Sequence, residues 1–214
     1  VSSLANDAAG AVDVFTFKLT DSGATDSQPT TITNIVIEKG TNNTVADWST
    51  IISGATLNDG SSDLTAALTV GTDNLTFDLT GNEYVVASGT SAELTLSISL
   101  NTTVTDGEVL EFEIPATHGI TADGAGSLFP ATVGSAVTSN VQTVQVTATA
   151  FDVTSPSIVT LNTNFTVGVS AVDALGTTDV DPRTISLSLA SGSGNLSSAT
   201  GLSAQSMTNG MYSW

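Results

Sequence analysis

Leu94-Thr95-Leu96-Ser97-Ile98-Ser99-Leu100 decides the fold class of this chain. Apolar and hydroxyl side chains alternate through it without a break. Successive side chains of an extended backbone point to opposite faces, so the stretch reads as a strand with one apolar and one wet face. The same period recurs at Phe15, Phe17 and Leu19, at Ile35 and Ile37, at Leu75, Phe77 and Leu79, and at Leu110, Phe112 and Ile114. Strands of this kind stack as two antiparallel layers around a shared core. Asp21-Ser22-Gly23, Asn58-Asp59-Gly60, Thr80-Gly81-Asn82 and Thr105-Asp106-Gly107 separate them with residues that tolerate tight turns. The expected fold is all-β: tandem antiparallel β-sandwiches.

Composition sets the class of partner. The 214 residues hold 21 acidic and three basic side chains, Lys18, Lys39 and Arg183, for a net charge of −18. Three cations cannot line a phosphate-binding face, so nucleic acid is excluded and an anionic membrane is a poor partner. Apolar content of 40% is enough for a core, and a charged content of only 11% is unlike a disordered acidic tail. Solubility must come from hydroxyls, amides and a thin layer of carboxylates. The chain has no cysteine, which removes disulfides, thiol catalysis and cysteine-bound zinc. No apolar run approaches the roughly 20 residues of a transmembrane helix. The chain begins without Met or a basic leader and closes on an apolar strand-like stretch, Met211-Tyr212-Ser213-Trp214. It reads as a segment of a longer secreted or cell-surface protein whose signal peptide is absent or removed.

The chain divides on paper into residues 1–149, a β-sandwich module, and residues 150–214, another sandwich. Val45 to Ile52 suits one helical turn, with Asp47 as its cap. Residues 117–140, rich in small residues, suit a long loop or irregular edge, and residues 141–150 suit a long strand. Strands are then expected over 157–161, 165–173 and 183–190, with a hairpin around Asn209-Gly210. A full sandwich of this type takes about seven strands in about 100 residues, so residues 150–214 fall short of a complete one.

Phe165-Thr166-Val167-Gly168-Val169-Ser170-Ala171-Val172-Asp173-Ala174-Leu175-Gly176 carries a resemblance. With Ile185 to Gly192 and the Asn209-Gly210 hairpin, it resembles the Ig-like repeat domains of multidomain secreted bacterial surface proteins, over about residues 141–214. The resemblance implies an Ig-like sandwich that acts as spacer, adhesin stalk or appendage of a secreted enzyme. Fold analogy does not itself transfer function.

Chemistry-bearing residues are few. His118 is the only imidazole, and no G-x-S-x-G elbow accompanies it. Glu111 and Glu113 share a strand face opposite Leu110 and Phe112, most simply a solvent face rather than a glycosidase pair. Asp173, Asp179 and Asp181 bracket one loop, and Asp152 lies at the expected module boundary. This set could bind calcium through oxygen ligands, and calcium is the only cofactor considered. Asp21 with Asp26, and Asn58 with Asp59 and Asp63, form further loop groups, none with EF-hand spacing. Asx-turn chemistry, each Asp serving its own backbone, is the competing and preferred reading. Trp48 is the candidate sugar platform, with burial as its alternative, and Trp214 reads as core.

The expectation is a non-catalytic structural or adhesive module, a spacer or stalk. The alternative is a carbohydrate-binding accessory module beside a secreted enzyme. Partners would be other domains of the same chain, a surface polysaccharide or a protein.

Overall fold

The computed structural model describes residues 1–23, 26–132, 134–160 and 162–214. It is almost wholly β, with antiparallel strand pairing and two short 3-10 turns at Ala8–Gly10 and Trp48–Thr50. The chain falls into two compact units. The first comprises Val1, Ala5–Val104 and Glu108–Val144; the second comprises Ser2–Leu4, Thr105–Gly107 and Gln145–Trp214. The second unit thus recruits two short segments from far upstream in the sequence.

The first unit contains β1 (Val12–Thr20), β2 (Thr30–Lys39), β3 (Ile52–Asn58), β4 (Ala67–Val70), β5 (Asn74–Asp78) and β6 (Tyr84–Val86). It continues with β7 (Ser91–Leu100), β8 (Val109–Leu110), β9 (Phe112–Ile114), β10 (Gly119–Ala122), β11 (Val137–Thr138) and β12 (Gln142–Thr143). One sheet runs β1-β7-β3, a larger one runs β11-β9-β2-β5-β4 with β6 and β10 also on β2, and β8 pairs β12. β7 is the centre of the first sheet. Its Leu96 stands opposite Phe15 on one side and Leu57 on the other. On the larger sheet Ile35 faces Phe77 and Ile37 faces Leu75. Side chains directly opposite share a face, so each register stacks apolar on apolar. Both faces meet in one core with Trp48, Phe112 and Leu79.

Several expected elements are redrawn. The expected strand over 141–150 is broken: β12 serves the first unit, and from Gln145 onward the chain belongs to the second. Within 117–140 the chain forms β10 and β11, because β2 and β9 offer free edges there. The helical turn is present, with Asp47 Oδ1 accepting the Ser49 N–H.

The second unit contains β13 (Ala150–Thr154), β14 (Gly168–Val172), β15 (Thr184–Ile185), β16 (Gln205–Ser206) and β17 (Met211–Ser213). One sheet runs β13-β14-β17, and β15 pairs β16. No strand forms over 157–160, and Leu161, the end of that expected strand, lies outside the described residues. The expected strands at 165–173 and 183–190 shorten to β14 and β15. The Asn209-Gly210 hairpin is present. Thr208 and Met211 exchange N–H···O bonds of 2.9 and 3.1 Å, and both turn residues have positive φ, +49° and +71°. That is the twist-matched two-residue turn Asn-Gly favours. Gly210 also has no room for a side chain, since a Cβ there would strike the Asp179 carbonyl.

The core predicts its own weak point. Phe77→Ala should destabilise the first unit by about 3–5 kcal/mol. Urea unfolding followed at Trp48 should report it, with the transition at Trp214 in the second unit unmoved.

Candidate functional site

Three aspartates of the second unit, Asp106, Asp173 and Asp179, each accept hydrogen bonds from more than one segment of the chain. β14 ends at Val172, and the chain turns through Asp173-Ala174-Leu175-Gly176, with Gly176 at φ +83°. Asp173 Oδ1 accepts the N–H groups of Leu175 and Thr177, both at 2.9 Å. Its Oδ2 accepts the Ser3 hydroxyl at 2.8 Å, across 170 residues of sequence. Asp179 Oδ1 accepts the Asp181 N–H at 2.9 Å. Its Oδ2 accepts from Ala148 N–H at 2.7 Å and from Arg183 Nη2 at 2.5 Å. Asp106 accepts from Val146 N–H and Val180 N–H, each at 2.9 Å. Asp173 and Asp179 are buried, 4% and 1% exposed. Together these carboxylates sew residues 3, 106, 146–148 and the 173–183 loop into one unit.

Electrostatics follow from the donors. Burial pushes the Asp179 carboxyl upward, but the hydrogen bonds from Arg183, Ala148 and Asp181 and the guanidinium charge outweigh it. The net result lies below the ordinary value of 3.8. Charge-assisted bonds to a carboxylate stabilise its ionised form. Arg183 is only partly satisfied in return: its Nη1 is buried without a hydrogen-bond partner among the described residues.

These contacts weigh against the calcium reading. Asp173 and Asp179 each accept three N–H or O–H donors, which take most of the roughly four lone-pair sites of a carboxylate. Asp152 is exposed on β13, paired across the sheet with Ser170, and Asp181 is exposed in its loop. Among the described residues, no three His, Cys, Asp or Glu side chains are placed to hold a metal ion. The Asx-turn alternative describes Asp173 and Asp179. Asp106, which sequence reasoning passed over as an ordinary turn residue, is the third member. Its Asp-Gly turn was visible, but nothing local pointed to Val180, 74 residues away.

Elsewhere the same chemistry repeats. Asp21 is buried and accepts from Thr30 Oγ1 and Gly23 N–H, both at 2.8 Å. Those bonds, led by Thr30, hold its carboxyl below the ordinary value. Asp59 accepts from Ser61 and Ser62. Glu111 is not on a solvent face: it is 5% exposed, accepting Asn42 N–H at 2.8 Å and Asn42 Nδ2 at 2.9 Å. The loop at Gly40 to Asn43 covers the outer side of its strand, so alternation placed the side chain correctly and missed its lid. His118, at φ +27°, bonds backbone groups among the described residues, with Nε2 2.7 Å from the Pro130 carbonyl and Nδ1 accepting Ile120 N–H at 3.3 Å.

Trp48 is not a sugar platform. It is 0% exposed, lies 4.9 Å from the Phe112 ring, and donates its Nε1–H to Asn43 Oδ1 at 3.0 Å. A large ring with a satisfied polar edge is well suited to a core. Trp214 is half-buried, edge-on to Tyr212 at 4.8 Å, and donates to the Gly201 carbonyl. An open depression of about 410 Å3 beside β1 holds a single acid, Asp13, which accepts from Ser97 Oγ. No family model, no curated protein and no solved structure matches the chain.

Two outcomes check the aspartate reading. Asp173→Ala leaves two backbone amides and the Ser3 hydroxyl without their acceptor, so the Trp214-monitored unfolding free energy should drop by about 1–3 kcal/mol. EDTA should leave it unchanged. Asp179 works in one direction with pH. Its depressed value contributes stability that is complete above about pH 4 and lost as pH falls through the folded value. The melting difference between wild type and Asp179→Asn should therefore be constant from about pH 5 to 7 and close below about pH 4.

Proposed function

We propose that the chain is a non-catalytic structural module, a spacer or stalk segment, of a large secreted bacterial surface protein. The observation that carries this reading is the aspartate network of the second unit. It joins residues remote in sequence through carboxylates, two of them, Asp173 and Asp179, buried, beside the apolar cluster of Val167, Val169, Ala171, Ile185 and Met207. Bonds that must break together resist extension better than bonds that break one at a time, which suits a module that transmits tension. The acidic, hydroxyl-rich surface supports the same reading. A net charge of −18 with two ion pairs among the described residues keeps a surface protein solvated without cationic partners. The carbohydrate-binding alternative loses its candidate residue, because Trp48 is buried.

Single-molecule extension of the 214-residue chain between terminal handles tests the proposal. The second unit should unfold in one cooperative force peak, and Asp179→Asn should lower that peak. Extension of the unit without a resolvable peak would overturn the stalk reading. Saturable retardation by a soluble polysaccharide in affinity electrophoresis would instead support an appended binding module.

A further inference from the structure

His118 is the only imidazole in the chain, and the fold uses both of its nitrogens. It is half-buried in the turn between β9 and β10, at φ +27°, a left-handed value that histidine enters more readily than most side chains. Nδ1 accepts the Ile120 N–H at 3.3 Å, so that nitrogen carries a lone pair and the ring proton sits on Nε2. Nε2–H then donates to the Pro130 carbonyl at 2.7 Å. The ring also lies 5.4 Å from that of Phe129, which packs against the core of the first unit. The loop bearing Phe129 and Pro130 is tied at its start. There Asp123 N–H meets the Thr31 carbonyl, and Ser127 meets Pro29 and Asp26. From Leu128 to Thr132 the bond from His118 is the one hydrogen bond to the backbone among the described residues.

We infer that His118 is a proton-operated clasp on residues 128–132, closed when the imidazole is neutral and open when it is charged. Imidazole is the side chain whose charge ordinarily changes between about pH 5 and 8. Imidazolium carries a proton on each nitrogen, which sets Nδ1–H against the Ile120 N–H, donor against donor. The ring turns away from that contact and takes Nε2 from Pro130. A bond that requires the neutral ring is complete at higher pH and is lost as pH falls. The charged side chains on the elements around it are Glu38 and Lys39 of β2, Glu113 of β9 and Asp123 of the loop; β10 and β11 carry none. Among the described residues none of them bonds the ring. Lys39 meets Asp73, Glu113 accepts from Thr138, and Asp123 accepts from Ala125. No carboxylate is therefore bonded there to hold the charged ring in place.

NMR of the imidazole nitrogens and amide relaxation on the 214-residue protein test this. At about pH 7.5 the ring should show the Nε2–H tautomer, and the amides of Phe129 and Ala131 should have order parameters of about 0.85. At about pH 5 the ring should be charged and both values should fall below about 0.6. Asparagine tolerates the same backbone and does not titrate. His118→Asn should therefore give the lower values at both pH values with the thermal midpoint retained. The variant also separates the ring from the Val1 amino group, whose partial burial lowers its pKa from the ordinary 8.0 and which bonds the Thr143 carbonyl. Three results would each overturn the inference, and the first two need no variant. They are an Nδ1–H tautomer at the higher pH, equal order at both pH values in the wild type, and a pH response that persists in His118→Asn.

Discussion

Backbone N–H groups in loops need acceptors, and in this protein carboxylates supply them. A strand satisfies its amides through its neighbour; a loop cannot, and a buried amide left alone costs as much as a lost hydrogen bond. Asp173, Asp179 and Asp106 accept seven backbone or side-chain donors between them where no strand pairing reaches, if Arg183 is left aside. Asp21 and Glu111 do the same in the first unit. These acceptors add to the few backbone bonds that fix the 173–183 loop and the Gly40 to Asn43 loop.

This use of acids explains the lopsided charge. A carboxylate that accepts from N–H groups needs no cation beside it, so 21 acidic residues coexist with three basic ones. The two ion pairs among the described residues show how little is asked of the cations. Lys39 meets a largely exposed Asp73, a pair of the kind worth little in water. Arg183 meets buried Asp179, but there it is one donor among three. Acidity in this chain is an architectural resource as well as a solvent coat.

The two units use their apolar residues differently. The first stacks two sheets over a core that includes Trp48, Phe77 and Phe112. The second buries a small cluster around Val169 and Ala171 and leaves Phe151, Val153, Ile158, Val159 and Phe165 substantially exposed. Its cohesion rests correspondingly more on hydrogen bonds to aspartate.

Alternation is a local property of the chain, so the all-β class, the course of β1, β2, β5 and β7 and their apolar faces were legible in the amino-acid order alone. So were the Asp47-capped turn and the Asn209-Gly210 hairpin, because both depend on backbone preferences of adjacent residues. Tertiary structure alone decided what depends on approach between distant segments. Ser3 meets Asp173 across 170 residues, and Asn42 meets Glu111 across 69. Burial of Trp48 and Glu111 depends on a lid or layer contributed from elsewhere in the chain. The break after Val144 follows from the same cause: the strand period continues through it, but Val144 packs in the first unit's core and from Gln145 onward the chain belongs to the second unit. A carboxylate's role as ligand, catalyst or clasp is set by the donors that reach it, and those are brought by the fold.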